Sequence, residues 1–349
     1  MTDLPSLLQT RLAEGSVPVE EVMALALYHP EYGYYRRPEG PWGFEGKDYY
    51  TALDLGSLLG ETLALRLAAV WEDLGRPEVF TVLEPGAGRG WLGRDLLQAA
   101  TGAFAEALRY IHRDDNPAAR ALAREAVAPS GDRVRFATEG EALEPFVGAV
   151  ISNELFDALP AQPYRFTEGR WTREVLTSEG PAWEPAQEAE PLAWFASQGD
   201  GLEEGDGSVW CPALPSVVEA CVAPLQAGLF LAIDYGERAD RLLDKGADLR
   251  RFKGHQVDGL WHEDLGQADL TADVDFTRLS GLLEGHGLKP EPLQNLSRWV
   301  RTHAPLAQWE QGWLDQPTEV RMARMQNLLQ LTLPGMMGDR FKVLEAVAG

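Results

Sequence analysis

The chain has 349 residues, 45% of them hydrophobic and 24% charged, and Asp plus Glu outnumber Lys plus Arg by 54 to 31, a formal net charge of -23. This length exceeds the usual single-domain mode and points to one large catalytic domain with insertions, or to two domains sharing a cleft. The acidic balance excludes a nucleic-acid footprint, which needs a basic patch, and suits a cationic partner no better than it suits plain solubility. Cys211 and Cys221 are too few for a disulfide framework and lack metal-site company, so they fit a reducing compartment. With no secretory pattern at the start, and with the most apolar stretch (217–233) broken by Glu219, Pro224 and Gln226, the expectation is a cytoplasmic protein without membrane insertion.

The first 75 residues read as helices around a loop. Apolar residues at helical spacing cover 19–27 and 55–71, and between them run Gly, Pro and aromatic residues, among them Tyr28, Tyr32, Tyr34, Tyr35, Trp42, Phe44, Tyr49 and Tyr50. Such a cluster forms either a lid over a ligand or a packed satellite core, and the residues alone favour packing. From 79 to 152 short apolar runs alternate with helical patterns: strand 79–83, helix 92–100, strand 108–112, helix 118–127, strand 134–136 and strand 147–152. This rhythm predicts an α/β fold with a doubly wound, Rossmann-like parallel sheet and ligands at the carboxyl ends of its strands.

After Pro160 the rhythm stops. The stretch 164–210, rich in tryptophan, acidic residues and turn signals, reads as a β-rich insertion. The sheet resumes at 229–233, a long loop follows over 234–269, and the chain closes with an αβ section at 276–283, 328–333 and 341–347. The resulting organisation is an N-terminal segment with its aromatic loop (1–75), a nucleotide-binding core (76–160), an insertion or substrate subdomain (161–215) and the remainder of the core (216–349) with an inserted loop at 236–270.

The sharpest local signal is Val82-Leu83-Glu84-Pro85-Gly86-Ala87-Gly88-Arg89-Gly90, an apolar strand ending in a carboxylate and entering three alternating glycines before a helix. Glycine lets backbone approach a ligand closely, and both nicotinamide cofactors and S-adenosylmethionine use such a turn. Gly88, Gly90 and Gly93 also satisfy the dinucleotide spacing. Glu84, however, stands where it would repel a pyrophosphate and would tolerate a cationic sulfonium. An acid for ribose hydroxyls is expected after the second strand, where Asp114 lies 24 residues beyond Gly90, with Asp115 beside it. The alternative for Asp114, Asp115 and Asn116 is a helix N-cap ahead of Pro117.

Asn153-Glu154-Leu155-Phe156-Asp157 follows another apolar run, so these polar groups fall at a strand's carboxyl end. Glu154 and Asp157, three apart, would share a face if a helical turn starts here, giving two carboxylates toward one cation; the alternative is that they cap the next segment. Asp234 and Tyr235 end a further strand, and His255, Asp48 and Thr51 are secondary candidates. The six histidines are scattered, and no metal site is expected.

Taken together, these motifs resemble the MidA-like family of methyltransferases. The resemblance covers Tyr28-His29-Pro30-Glu31-Tyr32-Gly33-Tyr34-Tyr35, Asp48-Tyr49-Tyr50-Thr51-Ala52, the Glu84–Gly90 turn, Ser152 through Pro160, Ile233-Asp234-Tyr235-Gly236, His255, the stretch 266–276 and Met337 through Leu344. It implies a class I methyltransferase fold and S-adenosyl-L-methionine as cofactor. The cofactor would be bound by Glu84, Gly86, Gly88, Gly90, Asp114 or Asp115, Asn153 and Thr51, with Glu154, Asp157, Asn153 and His255 as catalytic residues. It also implies methylation of an accessible protein arginine, in the characterised members on a complex I subunit. Leu53 and Ser57 depart from the family pattern, as does Asp114-Asp115-Asn116. A non-catalytic assembly chaperone and an NAD-dependent oxidoreductase are the competing readings, and a homodimer is compatible with the sequence without being indicated by it.

Overall fold

All six residues of the strand Phe80–Pro85 are buried, as a strand at the centre of a parallel sheet must be when both its faces are covered. The computed structural model describes residues 4–37, 53–198, 201–246, 248–254 and 256–349. Around Phe80–Pro85 the strands Leu108–Arg113, Val134–Ala137, Phe146–Asn153, Leu225–Glu237, Lys289–Pro290 and Phe341–Ala348 form one sheet. Numbered along the chain, the seven lie side by side in the order 3-2-1-4-5-7-6.

Strands one to five pair in parallel, in register Val82↔Tyr110, Val82↔Ala149 and Ile233↔Asn153. Parallel pairing requires crossovers, and the helices Trp91–Ala99 and Pro117–Ala126 supply the first two. Lys289–Pro290 returns antiparallel to Phe341–Ala348. On that last strand the buried Glu345 accepts from Arg66 (Nη2, 2.8 Å) and from Trp299 Nε1 (2.8 Å), which ties the helices Leu58–Asp73 and Leu296–His303 to the sheet. Strand order reverses between Phe80–Pro85 and Phe146–Asn153, so the crevice in which such sheets bind ligands opens beyond Pro85 and Asn153.

The chain divides into two compact units. The sheet belongs to the unit made of Tyr50–Leu155, Val217–Asp234 and Ser280–Gly349. Met1–Tyr49, Phe156–Ser216 and Tyr235–Leu279 make the other. Its antiparallel sheet runs Val17–Pro18, Arg170–Thr177, Gln162–Thr167, Gly207–Trp210, with Gly180–Pro185 also paired to Arg170–Thr177. The β-rich insertion is therefore present, with a helix at Ala189–Ala196 inside it. The stretch expected as a long loop over 234–269 holds a helix, Ala239–Lys245, and strands Arg250–Lys253 and Gln256–Asp258 that join Asp269–Thr271 in a three-stranded sheet. Elements of three to seven residues are too short to show a period in sequence, which is why this region read as loop. Among the described residues no helix is long and apolar enough to cross a membrane.

Two glycines set how closely the central strands approach. A Cβ on Gly148, whose φ is +156°, would lie 1.9 Å from the Thr81 carbonyl oxygen, and one on Gly228 would lie 1.8 Å from that of Gly148. Gly148→Ala is therefore expected to force the strands apart, costing about 3 kcal/mol or more and lowering the Tm by roughly 4 °C or more. Gly140→Ala, where a Cβ meets nothing within 4 Å, should stay within about 0.5 kcal/mol. Thermal unfolding of the two variants checks this, and equal midpoints would contradict it.

Candidate functional site

The Phe80–Pro85 strand delivers Glu84 to the edge of the sheet and then turns through Gly86 (φ +64°), Gly88 (φ +52°) and Gly90 (φ +72°), all left-handed. Gly90 is the cap from which the helix Trp91–Ala99 starts. The three differ in surroundings. A Cβ on Gly86 would meet Leu155 at 2.7 Å and one on Gly90 would meet Ala123 at 2.8 Å, while one on Gly88 meets nothing within 4 Å. The turn is packed at both ends and open in the middle, a cradle that a ligand can enter alongside Gly88. Glu84 is 3% exposed and accepts a short hydrogen bond from the Tyr110 hydroxyl. Burial pushes its carboxyl up to about 8, the Tyr110 bond opposing and Asp114 adding to the rise.

The neighbouring strand Leu108–Arg113 grips this turn from its own end. The Ala87 amide donates to the Arg113 carbonyl (3.1 Å), the Gly88 amide to Asp114 Oδ2 (2.8 Å), and His112 Nε2 lies 2.8 Å from the Gly88 carbonyl. Asp114 Oδ1 also accepts from the Asn116 amide at 2.7 Å. Asp115 accepts from the Glu139 amide instead, so Asp114 is the acid set against the glycine turn. The expected cap is Asn116, whose Oδ1 accepts from Ala118 (2.9 Å) and Ala119 (3.3 Å) ahead of Pro117.

On the far side of the crevice, Phe146–Asn153 ends in a strained turn. Glu154 has φ +53°, rare for a residue with a side chain, and its amide donates to the Ile233 carbonyl at 2.9 Å. Asn153 Nδ2 donates to Glu154 Oε1 at 2.9 Å, while Asn153 Oδ1 is buried without a partner among the described residues. The fully buried Asp234 accepts from the Leu155 amide at 3.1 Å, and so braces this turn. The helical turn over 154–157 that would bring the two carboxylates onto one face does not form, because the left-handed Glu154 breaks any helix at its start. Glu154 and Asp157 thus do not share a helix face; Asp157, 3% exposed, belongs to the other unit, where its carbonyl accepts from the Ala272 amide.

Thr51, Asp48 and His255 lie outside the described residues, as do Trp42, Phe44, Tyr49 and Tyr50. Of the aromatic loop, Tyr34 is fully buried in a core with Val22, Met23 and Trp261, Tyr28 donates to the Ala158 carbonyl (2.8 Å), and Tyr35 donates to Asp269 (2.7 Å). These rings pack. Three further residues stand at the turn without a motif to mark them: Arg89, which pairs with the covered Asp54 carboxylate at 2.6 Å and lies 3.6 Å over the Trp91 ring, Tyr110 and His112. The signal was there in part: polar groups closing an apolar strand at its ligand-facing end. Burial pushes the Cys211 and Cys221 thiols up to about 11 and about 12, which leaves both unreactive. No cluster of three or more His, Cys, Asp or Glu among the described residues could hold a metal.

A 3-2-1-4-5-7-6 sheet with an acid and a glycine turn closing its first strand defines a class I S-adenosylmethionine-dependent methyltransferase. The family model for S-adenosyl-L-methionine-dependent methyltransferases matches residues 62–293, and the chain belongs to that family. Over 97% of its length it is 27% identical to the mitochondrial protein arginine methyltransferase NDUFAF7 homolog of Drosophila melanogaster, covering 83% of that protein. The human mitochondrial protein arginine methyltransferase NDUFAF7 is 26% identical over 94% of the chain and 79% of its own length. A crystal structure from Burkholderia thailandensis, of a COG1565 superfamily member bound to S-adenosyl-homocysteine, superimposes with TM-score 0.89 at 25% identity, covering 99% of this chain and 91% of that one. These findings carry the methyltransferase reading and leave the oxidoreductase alternative without support. The cytoplasmic expectation is overturned by the relatives' names, which are those of mitochondrial proteins. Two cysteines fit a reducing environment and do not name a compartment.

The Glu84 carboxyl gives a pH signature. Its folded value of about 8 lies above the ordinary 4.5, so its stabilising contribution is complete below the ordinary value and is lost as pH rises through about 8. Between pH 6 and 9 the wild type should lose about 3 kcal/mol from this group. Glu84→Gln, which keeps an acceptor for Tyr110, should lack that loss in urea unfolding at the two pH values. Parallel losses in both proteins would refute the assignment.

Proposed function

We propose that this methyltransferase transfers the methyl group to an arginine side chain of a protein, a complex I subunit or a similar basic partner. The cofactor supplies a methyl carbon activated by a sulfonium. Gly88 leaves room for it beside the turn, Asp114 would accept ribose hydroxyls through lone pairs its two backbone contacts leave unused, and Asn153 Oδ1 offers a buried acceptor. Gly86 and Gly90 shape the turn, and Glu84 sits beneath it as the buried acid.

The observation that carries the acceptor assignment is Glu154, a carboxylate held at a strained backbone angle at the mouth of the crevice, oriented by Asn153 and followed by Leu155, which packs toward Gly86. A guanidinium is charged at any ordinary pH and presents donors in a fixed fork, which a carboxylate matches. In the transfer a guanidinium nitrogen forms the new N–C bond, the C–S bond breaks, and the nitrogen's proton leaves; Glu154 orients the acceptor and takes that proton. The relatives' names, both protein arginine methyltransferases, support the same acceptor. Because the second expected carboxylate, Asp157, lies in the other unit, the reading rests on Glu154.

With labelled S-adenosylmethionine and isolated complex I subunits as acceptors, the product should be a methylated arginine by peptide mass spectrometry. Glu154→Gln should lower kcat about 100-fold with cofactor affinity unchanged. Label on a residue other than arginine, or wild-type turnover by Glu154→Gln, would sink the arginine reading.

A further inference from the structure

We infer that His112 is a positioning residue for cofactor binding, acting as a neutral imidazole that holds the Gly88 carbonyl; this rests on the reading that the cofactor is held at the glycine turn. The Gly88 carbonyl can only accept, so at 2.8 Å the His112 Nε2 must carry the proton and donate. That choice leaves Nδ1 as the bare nitrogen, and Nδ1 is buried with no partner among the described residues. The ring is fully buried and tilted against Phe136 with centroids 5.0 Å apart. Burial lowers its basicity; the Gly88 carbonyl, Asp114 and the residue's own backbone oppose this, Arg120 adds to it, and the net shift favours the neutral ring.

The arrangement does more than fill space. Gly88 lies between two peptide planes, and each is held by a different residue at the end of one strand. Asp114 accepts from the amide on one side, and His112 donates to the carbonyl on the other. Together they restrain both backbone angles of the one glycine whose flank is open, and glycine would otherwise range widely. Without the His112 bond the Gly88–Arg89 peptide is held by the turn's own Gly90-to-Ala87 hydrogen bond (3.0 Å), and the extra freedom it gains must be given up when cofactor binds. The cost therefore falls on affinity.

The test is the Kd for S-adenosylhomocysteine, by calorimetry, of wild type, His112→Phe and His112→Gln, with nitrogen-15 NMR of the His112 ring in the unliganded wild type. Phe keeps the ring and its Phe136 contact but cannot donate; Gln restores an N–H at similar reach. The expected results are a protonated-type Nε2 and bare-type Nδ1 signal at pH 7, a Kd raised about tenfold in His112→Phe, and recovery to within about threefold in His112→Gln. A purely structural role would lower the Tm of His112→Phe and leave its Kd at the wild-type value, which overturns the inference, as does a ring protonated on Nδ1. Wild-type protein that fails to bind S-adenosylhomocysteine overturns the cofactor reading itself, an outcome separate from equal binding by wild type and His112→Phe.

Discussion

The site depends on the hydrogen bonds that the end of the Leu108–Arg113 strand makes to the glycine turn. The register Glu84↔His112 and Pro85↔Arg113 places the two strand ends side by side, and the chain beyond Pro85 then meets the carbonyl of Arg113, the carboxylate of Asp114 and the ring of His112 in succession. A left-handed glycine turn has little conformational preference of its own. Here its shape is imposed by a neighbouring strand that belongs to the most buried part of the sheet, so the cradle inherits the rigidity of the core. Close strand spacing at Gly148 and Gly228 serves the same end, since it sets where Asn153 emerges relative to Pro85.

The opposite wall of the crevice is built by the same means. Asp234 follows Ile233, which is in register with Asn153, and its buried carboxylate takes the Leu155 amide while the Ile233 carbonyl takes the amide of Glu154. Two backbone donors that a strained turn would leave orphaned are thereby satisfied. The cost of the left-handed Glu154 is offset by these contacts, and strain kept in this way at the carboxyl end of a central strand belongs with a site rather than with a casual loop. Neither wall is a mobile surface feature. Both are continuations of parallel strands, which is why the fold and the chemistry cannot be separated here.

Much of this was legible in the sequence. Strands expected at 79–83, 108–112, 134–136 and 147–152 appear as Phe80–Pro85, Leu108–Arg113, Val134–Ala137 and Phe146–Asn153, because apolar runs of that length bounded by turn residues leave few alternatives. The acid-and-glycine motif identified the turn because the residues needed are contiguous. What remained hidden depends on contacts between distant positions. That Asp114 faces Gly88 while Asp115 faces Glu139 is decided by strand twist and register, and no spacing rule separates adjacent aspartates. A three-residue carboxylate spacing at Glu154 and Asp157 is compatible with a helical turn or with a cap, whereas the backbone angle at Glu154 that forbids the helix is set by Ile233 and Asp234, nearly 80 residues away. His112 was passed over for a similar reason: inside an apolar run it reads as core, and only its distance to the Gly88 carbonyl gives it a part.

The central claim is that the glycine turn of this methyltransferase is the cofactor's seat. The most direct measurement is calorimetric titration of the purified protein with S-adenosylmethionine, wild type against Gly88→Val, with NADH as the control ligand. A branched side chain at Gly88 fills the open cradle and, at φ +52°, also strains the turn that shapes it, so the account predicts saturable binding by wild type, none by the variant and none of NADH by either. Undiminished binding by Gly88→Val would place the cofactor elsewhere and contradict the account.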